Sequence, residues 1–188
     1  MSYGIRRDDA LALVREHVKN ENLVNHCLAS EAVLRAIAGR LGEDQEKWGL
    51  TGLLHDLDAE LQPDLATHTT LTVRILKEKG VDDEIVEAIR LHNLEAYPGE
   101  ERTTPLQFAL AAGETITGLV TAAALVRPDK QLRSVQVKSI TKRYKEKAFA
   151  RGANREIIAE CERIGIPLAE FCELSLTAMQ EIAGDIGL

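Results

Sequence analysis

At 188 residues the chain suits one domain with a substantial core and room for a small helical appendage. Its formal charge of −7 speaks against a general nucleic-acid binder, which usually presents a basic surface. Cys27, Cys161 and Cys172 form no C-x-x-C pair, no uninterrupted apolar run approaches a membrane span, and MSYGIRRDDA lacks an apolar signal core, so the expectation is a soluble, cytoplasmic protein with no membrane partner.

Three Phe, three Tyr and one Trp beside abundant Ala, Leu, Ile and Glu favour helices over a sheet sandwich. Asp8 or Asp9 can cap a helix over 9–19 with a Leu11, Val14, Val18 stripe. His17, near the end of that helix, complements its dipole. A second helix runs over 22–40 and stops at Gly42. Asp44 opens a third, which passes through Trp48, Leu50, Leu53 and Leu54 to His55-Asp56. The pattern then predicts a helix over 64–79 that carries His68 and ends at Gly80. Asp82 and Asp83 cap the next, where Ile85, Ile89 and His92 share a face. Residues 93–104 read as an acidic loop, and Pro105 starts a long apolar helix over 105–126. Residues 130–151 are the concentrated basic stretch of an acidic chain, and helices over 154–164 and 167–186 follow. The fold class is all-α.

Four of the five histidines, His26, His55, His68 and His92, sit at inner positions of separate predicted helices, with Asp56 among them. Imidazole and carboxylate are ligands for zinc, iron, manganese and related ions, and no thiolate set competes. Several imidazoles buried without partners would cost about 1–3 kcal/mol each in unmet hydrogen bonds, a penalty that a shared cation removes. His55 and Asp56 diverge by about 100° on a helix, so an ion reached by both sits over the helix end.

The order His26, then His55-Asp56 in the run LLHDLD, then a later acid resembles the HD superfamily of metal-dependent phosphohydrolases, the HDIG branch in particular, over residues 20–126. The resemblance implies an HD-domain helical bundle over 1–128 with additional C-terminal helices over 129–188 packed on it. It implies His26, His55 and Asp56 as metal ligands and Glu114, in Ala111-Ala112-Gly113-Glu114-Thr115, as the closing carboxylate. His68 and His92 match the extra histidines of members that hold two metals, with Asp56 as the bridge. The sequence departs from HDIG at Asp58, which stands in place of the glycine, and Ala59 and Glu60 occupy the region where a lysine often follows.

The function so implied is hydrolysis of a nucleotide or other small phosphorylated metabolite by a metal-activated water, with one or two divalent ions (Fe, Mn, Zn, Ni or Co) as cofactor. Asp56 and Asp58 are the candidate catalytic carboxylates, and Lys142, Arg143 and Lys145 the candidate phosphate contacts. The partner expected is a small phosphorylated molecule rather than nucleic acid, and the amphipathic C-terminal helices leave room for a homodimer. Two alternatives share the ligand pattern: an HD-fold diiron oxygenase, and a non-catalytic metal-binding or regulatory module.

Overall fold

The computed structural model describes residues 3–188; Met1 and Ser2, part of the segment read for a signal core, lie outside the described residues. Nine α-helices and three short 3₁₀ turns, with no strand, make up the regular structure among them. They are α1 (Arg7–His17), α2 (Glu21–Leu41), α3 (Gln45–Leu54), α4 (Thr70–Glu78), α5 (Asp83–His92), α6 (Pro105–Leu125), α7 (Val137–Lys145), α8 (Arg155–Ile158) and α9 (Leu168–Glu181).

Local signals explain most boundaries. Asp44 and Asp82 each accept two backbone N–H groups at the starts of α3 and α5, which supplies partners for donors that have none inside the helix. Thr104 and Gln107 form a reciprocal capping box around Pro105 at the start of α6. Gly42 ends α2 in the left-handed conformation, at φ 76°. At α1, by contrast, Arg6 holds the cap position, and Asp8 and Asp9 lie inside the first turn.

Three departures matter for the site. The helix expected over 64–79 forms only from Thr70, so His68 stands in the turn that precedes it. A basic helix, α7, occupies part of the stretch read only as charged, and the helix expected over 154–164 divides into α8 and a 3₁₀ segment over Ala159–Ile164.

The central element is α6. By length and hydropathy it is the one described helix that would suffice to cross a membrane, yet 67% of its most apolar window is buried inside the bundle. It packs against α2, α3 and α5 and also against α7, α8 and α9. One continuous core includes Leu34, Leu53, Ile89 and Ile116 together with Leu132, Ile140, Ile158 and Phe171, so the C-terminal helices share the core of the rest.

Two glycines set how closely α2 can approach its neighbours. A Cβ at Gly52 on α3 would lie 2.6 Å from the Ser30 carbonyl oxygen of α2, and one at Gly113 on α6 would lie 2.7 Å from a Leu34 methyl. At Gly52 the obstacle is backbone, which cannot step aside as a side chain can. Gly52→Ala is therefore expected to lower unfolding free energy by about 1–3 kcal/mol, as overpacked cores do. Chemical denaturation checks this; an unchanged midpoint would mean that α2 and α3 are not held at this spacing.

Candidate metal centre

Each histidine of the cluster is oriented through its Nδ1. His55 caps the C-terminus of α3 and His92 ends α5. Their Nδ1 atoms lie 2.8 Å from the Gly52 carbonyl and 2.7 Å from the Ile89 carbonyl, each three residues back. A carbonyl only accepts, so both rings carry their proton on Nδ1. His26, midway along α2, reaches Thr117 Oγ1 with Nδ1 at 2.9 Å. That hydroxyl already donates to the Glu114 carbonyl at 2.7 Å, so it accepts from His26. His68 Nδ1 lies 3.0 Å from Asp58 Oδ1 and donates to it.

All four Nε2 atoms are thereby turned to one place. His26 and His55 meet at 3.1 Å between Nε2 atoms, and His68 and His92 at 3.3 Å. Asp56 stands between the pairs, with Oδ2 3.7 Å from His26 and Oδ1 3.5, 3.1 and 3.6 Å from His55, His68 and His92. In the His26–His55 pair the proton of each ring is on Nδ1, so the two Nε2 lone pairs cannot hydrogen-bond to each other; a cation is what such a pair accepts. Ligand atoms about 2.0–2.1 Å from one ion stand roughly 3.0–3.4 Å apart, so the two Nε2–Nε2 spacings suit coordination and the Asp56 oxygens stand at or a few tenths of an ångström beyond that range. Two groups have this form, His26–His55–Asp56 and Asp56–His68–His92, and they share the aspartate. The donor set fits divalent metal.

Charge follows the same geometry. Burial pushes the His55 imidazole down to about 3, which keeps it neutral. Burial also opposes charge on His68, but hydrogen bonds to Asp56 and Asp58 outweigh it and raise this ring to about 10. Burial would raise Asp56, yet the imidazoles, His55 foremost, hold it well below the usual carboxylate range. Burial lifts the Glu114 carboxyl above its ordinary value.

Glu114 belongs to neither triad; its Oε2 lies 3.7 Å from His26 Nε2, and it accepts the Thr115 hydroxyl. Asp58 has a place different from the one expected. It is fully buried, and beside His68 it accepts backbone N–H groups from Thr69, Leu71 and Thr72 at 3.1–3.2 Å. It thus caps α4, which has no side-chain cap of its own, and fixes the His68 ring. With its oxygens so engaged Asp58 has no lone pair directed at the cavity, and a general-base role does not suit it. Glu60 turns the other way, accepting the Lys19 and Asn20 N–H groups at 2.8 and 2.7 Å.

A cavity of about 510 Å³ opens over the cluster, lined by His26, Asp56, His68, His92 and Glu114 together with residues of the C-terminal extension. Lys142, Arg143 and Lys145 are not among its lining residues, whereas Arg151 is. Arg143 instead pairs with Glu146 at 2.6 Å and lies over the Phe149 ring. His17 lies outside the cluster. A larger groove of about 870 Å³ beside Tyr3 and Trp48 contains none of the histidines and is rich in acids, of which Asp82 and Glu84 pair with Lys47.

Three supports were not legible as site residues. Asn93 donates from Nδ2 to the carbonyls of Leu65 and His68, clamping the turn. Thr69 adopts φ 84°, a strained value for a β-branched residue, next to His68. Arg102, buried in the loop after α5, donates to the Leu91 and His92 carbonyls and pairs with Glu160 at 2.7 Å. A lone Arg in an acidic loop carries no sequence signal; the Asn directly after His92 was the one visible hint.

A family model described as HD domain matches residues 23–125. Similar curated proteins include Ribonuclease Y of Thermosipho melanesiensis, 29% identical over 156 residues, which are 80% of this chain and 30% of that protein. Ribonuclease Y of Thermotoga maritima matches to the same extent, and Ribonuclease Y 2 of Levilactobacillus brevis is 28% identical over 62% of this chain and 20% of its own length. The chain thus spans under a third of the length of these relatives. No solved structure matches it significantly.

Elemental analysis after reloading with Mn²⁺ is expected to find about two ions per chain, none in His55→Ala and one in His68→Ala. Asp58→Asn is expected to weaken binding at the His68 side about 10–100-fold, as loss of a ring-orienting carboxylate does elsewhere. Retention of full metal in His55→Ala would contradict the assignment. Because His68 titrates near 10 in the protein without metal, an ion arriving at its Nε2 displaces a proton at neutral pH. Apparent affinity at that position is therefore expected to rise about tenfold per pH unit from pH 6 to 8, levelling only as pH nears the His68 value. Titration calorimetry in buffers of different ionisation enthalpy reads the proton released; a pH-independent affinity would contradict this.

Proposed function

We propose that this chain, which belongs to the HD domain family, is a metal-dependent phosphohydrolase acting on a nucleotide or another small phosphorylated metabolite. The observation that carries the reading is the pair of His–His–Asp groups sharing Asp56 at the base of an open cavity. His26 and His55 would hold one ion and His68 and His92 the other, with Asp56 between them and Glu114 beside the first. Ions held there supply Lewis acidity, which polarises a phosphoryl group and makes water a competent nucleophile near neutral pH.

The protein's own groups do the rest. Nδ1 anchors keep the four rings from turning, so the site is ordered before substrate arrives. Asp56 and Glu114 leave the centre net positive once two divalent ions are bound, which suits an anionic substrate. Glu114, lifted by burial and in contact with the Thr115 hydroxyl, is placed to hold or release a proton at the cavity wall.

The size of the cavity suits a mononucleotide-sized ligand. Single-stranded nucleic acid is usually tracked by a basic groove with aromatic stacking platforms. Among the described residues lining this cavity there is no Phe, Tyr or Trp, and Arg151 is the one Lys or Arg. A second reading, cleavage of a phosphodiester in RNA, is favoured by the name of the relatives, Ribonuclease Y.

The test loads the chain with Mn²⁺ or Fe²⁺ and compares mononucleotides, generic phosphomonoesters and phosphodiesters, and short single-stranded RNA. Metal-dependent turnover of the small substrates is expected, falling to background in His55→Ala. Turnover of RNA alone would establish the second reading, and silence across the panel with metal bound would end both.

A further inference from the structure

The segment between α7 and α8 reaches the cavity together with Ile157 of α8, and its construction is unusual. The Arg155 guanidinium donates to the backbone carbonyls of Arg143, Tyr144, Phe149 and Ala150 at 3.2, 3.1, 2.6 and 3.0 Å, and also to those of Glu146 and Ala153. One side chain thus gathers the acceptors of an entire turn, of which the Arg143, Glu146 and Ala150 carbonyls also accept a backbone N–H and the other three do not. Tyr144 closes the arrangement by donating its hydroxyl to the Arg155 carbonyl at 2.8 Å. Ala150 takes φ 45°, a strained conformation for a residue with a Cβ, at the point where the chain turns toward the cavity. Arg151 is the next residue.

Arg151 lines the cavity together with His26, Asp56, His68, His92 and Glu114, and it is exposed at the rim. Among the described residues no hydrogen bond or ion pair engages its guanidinium, whereas Arg143 and Arg155 on either side are both engaged within the turn. An unpaired guanidinium over a centre that carries metal cations is itself repelled unless an anion lies between them. A phosphate bridging the ions and a planar fork of donors removes that repulsion and uses the geometry in which Arg binds phosphate best.

We propose that Arg151 is the substrate-phosphate contact of this site and that Arg155 is the positioning residue that presents it. The assignment rests on the phosphohydrolase reading above. It moves the phosphate-binding role from the α7 residues Lys142, Arg143 and Lys145 to the turn beyond them. It also makes the extension part of the active site, although the HD match ends at residue 125.

The experiment uses the full chain loaded with Mn²⁺ and two probes: inorganic phosphate in calorimetry and the best small phosphoester in steady-state kinetics. Arg151→Ala is expected to weaken phosphate binding and raise KM about tenfold or more, the usual size of a lost charge-assisted hydrogen bond, with metal content and melting temperature unchanged. Arg151→Lys is expected to recover part of the loss. Arg155→Met is expected to raise KM similarly, and Arg155→Met/Arg151→Ala to be no worse than either single change, because both act through one contact. If Arg155→Met does not fold, the two Arg151 variants decide alone. Phosphate affinity and KM within twofold of wild type in Arg151→Ala would overturn the assignment while leaving the hydrolase standing. A wild-type protein that holds metal but neither binds phosphate nor turns over any phosphoester would overturn the hydrolase reading, and this assignment with it.

Discussion

Everything in this molecule that bears on chemistry follows from where the Nδ1 protons of four imidazoles sit. Two are given to buried carbonyls near helix C-termini, one to a threonine hydroxyl whose own proton is already committed, and one to a buried carboxylate. Helix ends leave carbonyls without partners, and a histidine at the last position can satisfy one with Nδ1 while presenting Nε2 outward. The same device appears at the ends of α3 and α5, so a routine capping contact becomes a way of aiming a lone pair.

Aim alone would not bring the lone pairs together. His26 is carried on α2, and its meeting with His55 depends on how closely α2 crosses α3. Gly52 permits that approach and also supplies the carbonyl that orients His55. On the opposite side Arg102 satisfies the end of α5 just beyond His92 and ties it to Glu160 in the extension. Packing, capping and coordination are therefore one construction, and loosening any helix pair would spread the donors beyond the reach of a single ion.

The helical class, the Pro105 start, the Gly42 stop and the inner-face placement of His26, His55 and His92 were legible because each rests on local periodicity or capping chemistry. His68 was legible as a residue and misplaced as a position. The expected helix begins later because its cap, Asp58, comes from another segment, and a contact between residues 58 and 72 leaves no trace in a local pattern. The same non-locality turned Asp58 from a candidate base into a support. Charge composition showed that residues 130–151 were basic, but it could not say which cation faced the cavity. That depended on Arg155 folding the turn around itself and on Arg143 being taken up by Glu146 and Phe149.

The most direct test of this construction is an anomalous difference map from crystals of the protein grown with Mn²⁺. The account requires two peaks flanking Asp56, one about 2.0–2.3 Å from Nε2 of His26 and His55 and the other equally close to Nε2 of His68 and His92. A map with no peak at these nitrogens, or with an ion bound through Nδ1 and the carbonyl contacts broken, would contradict it.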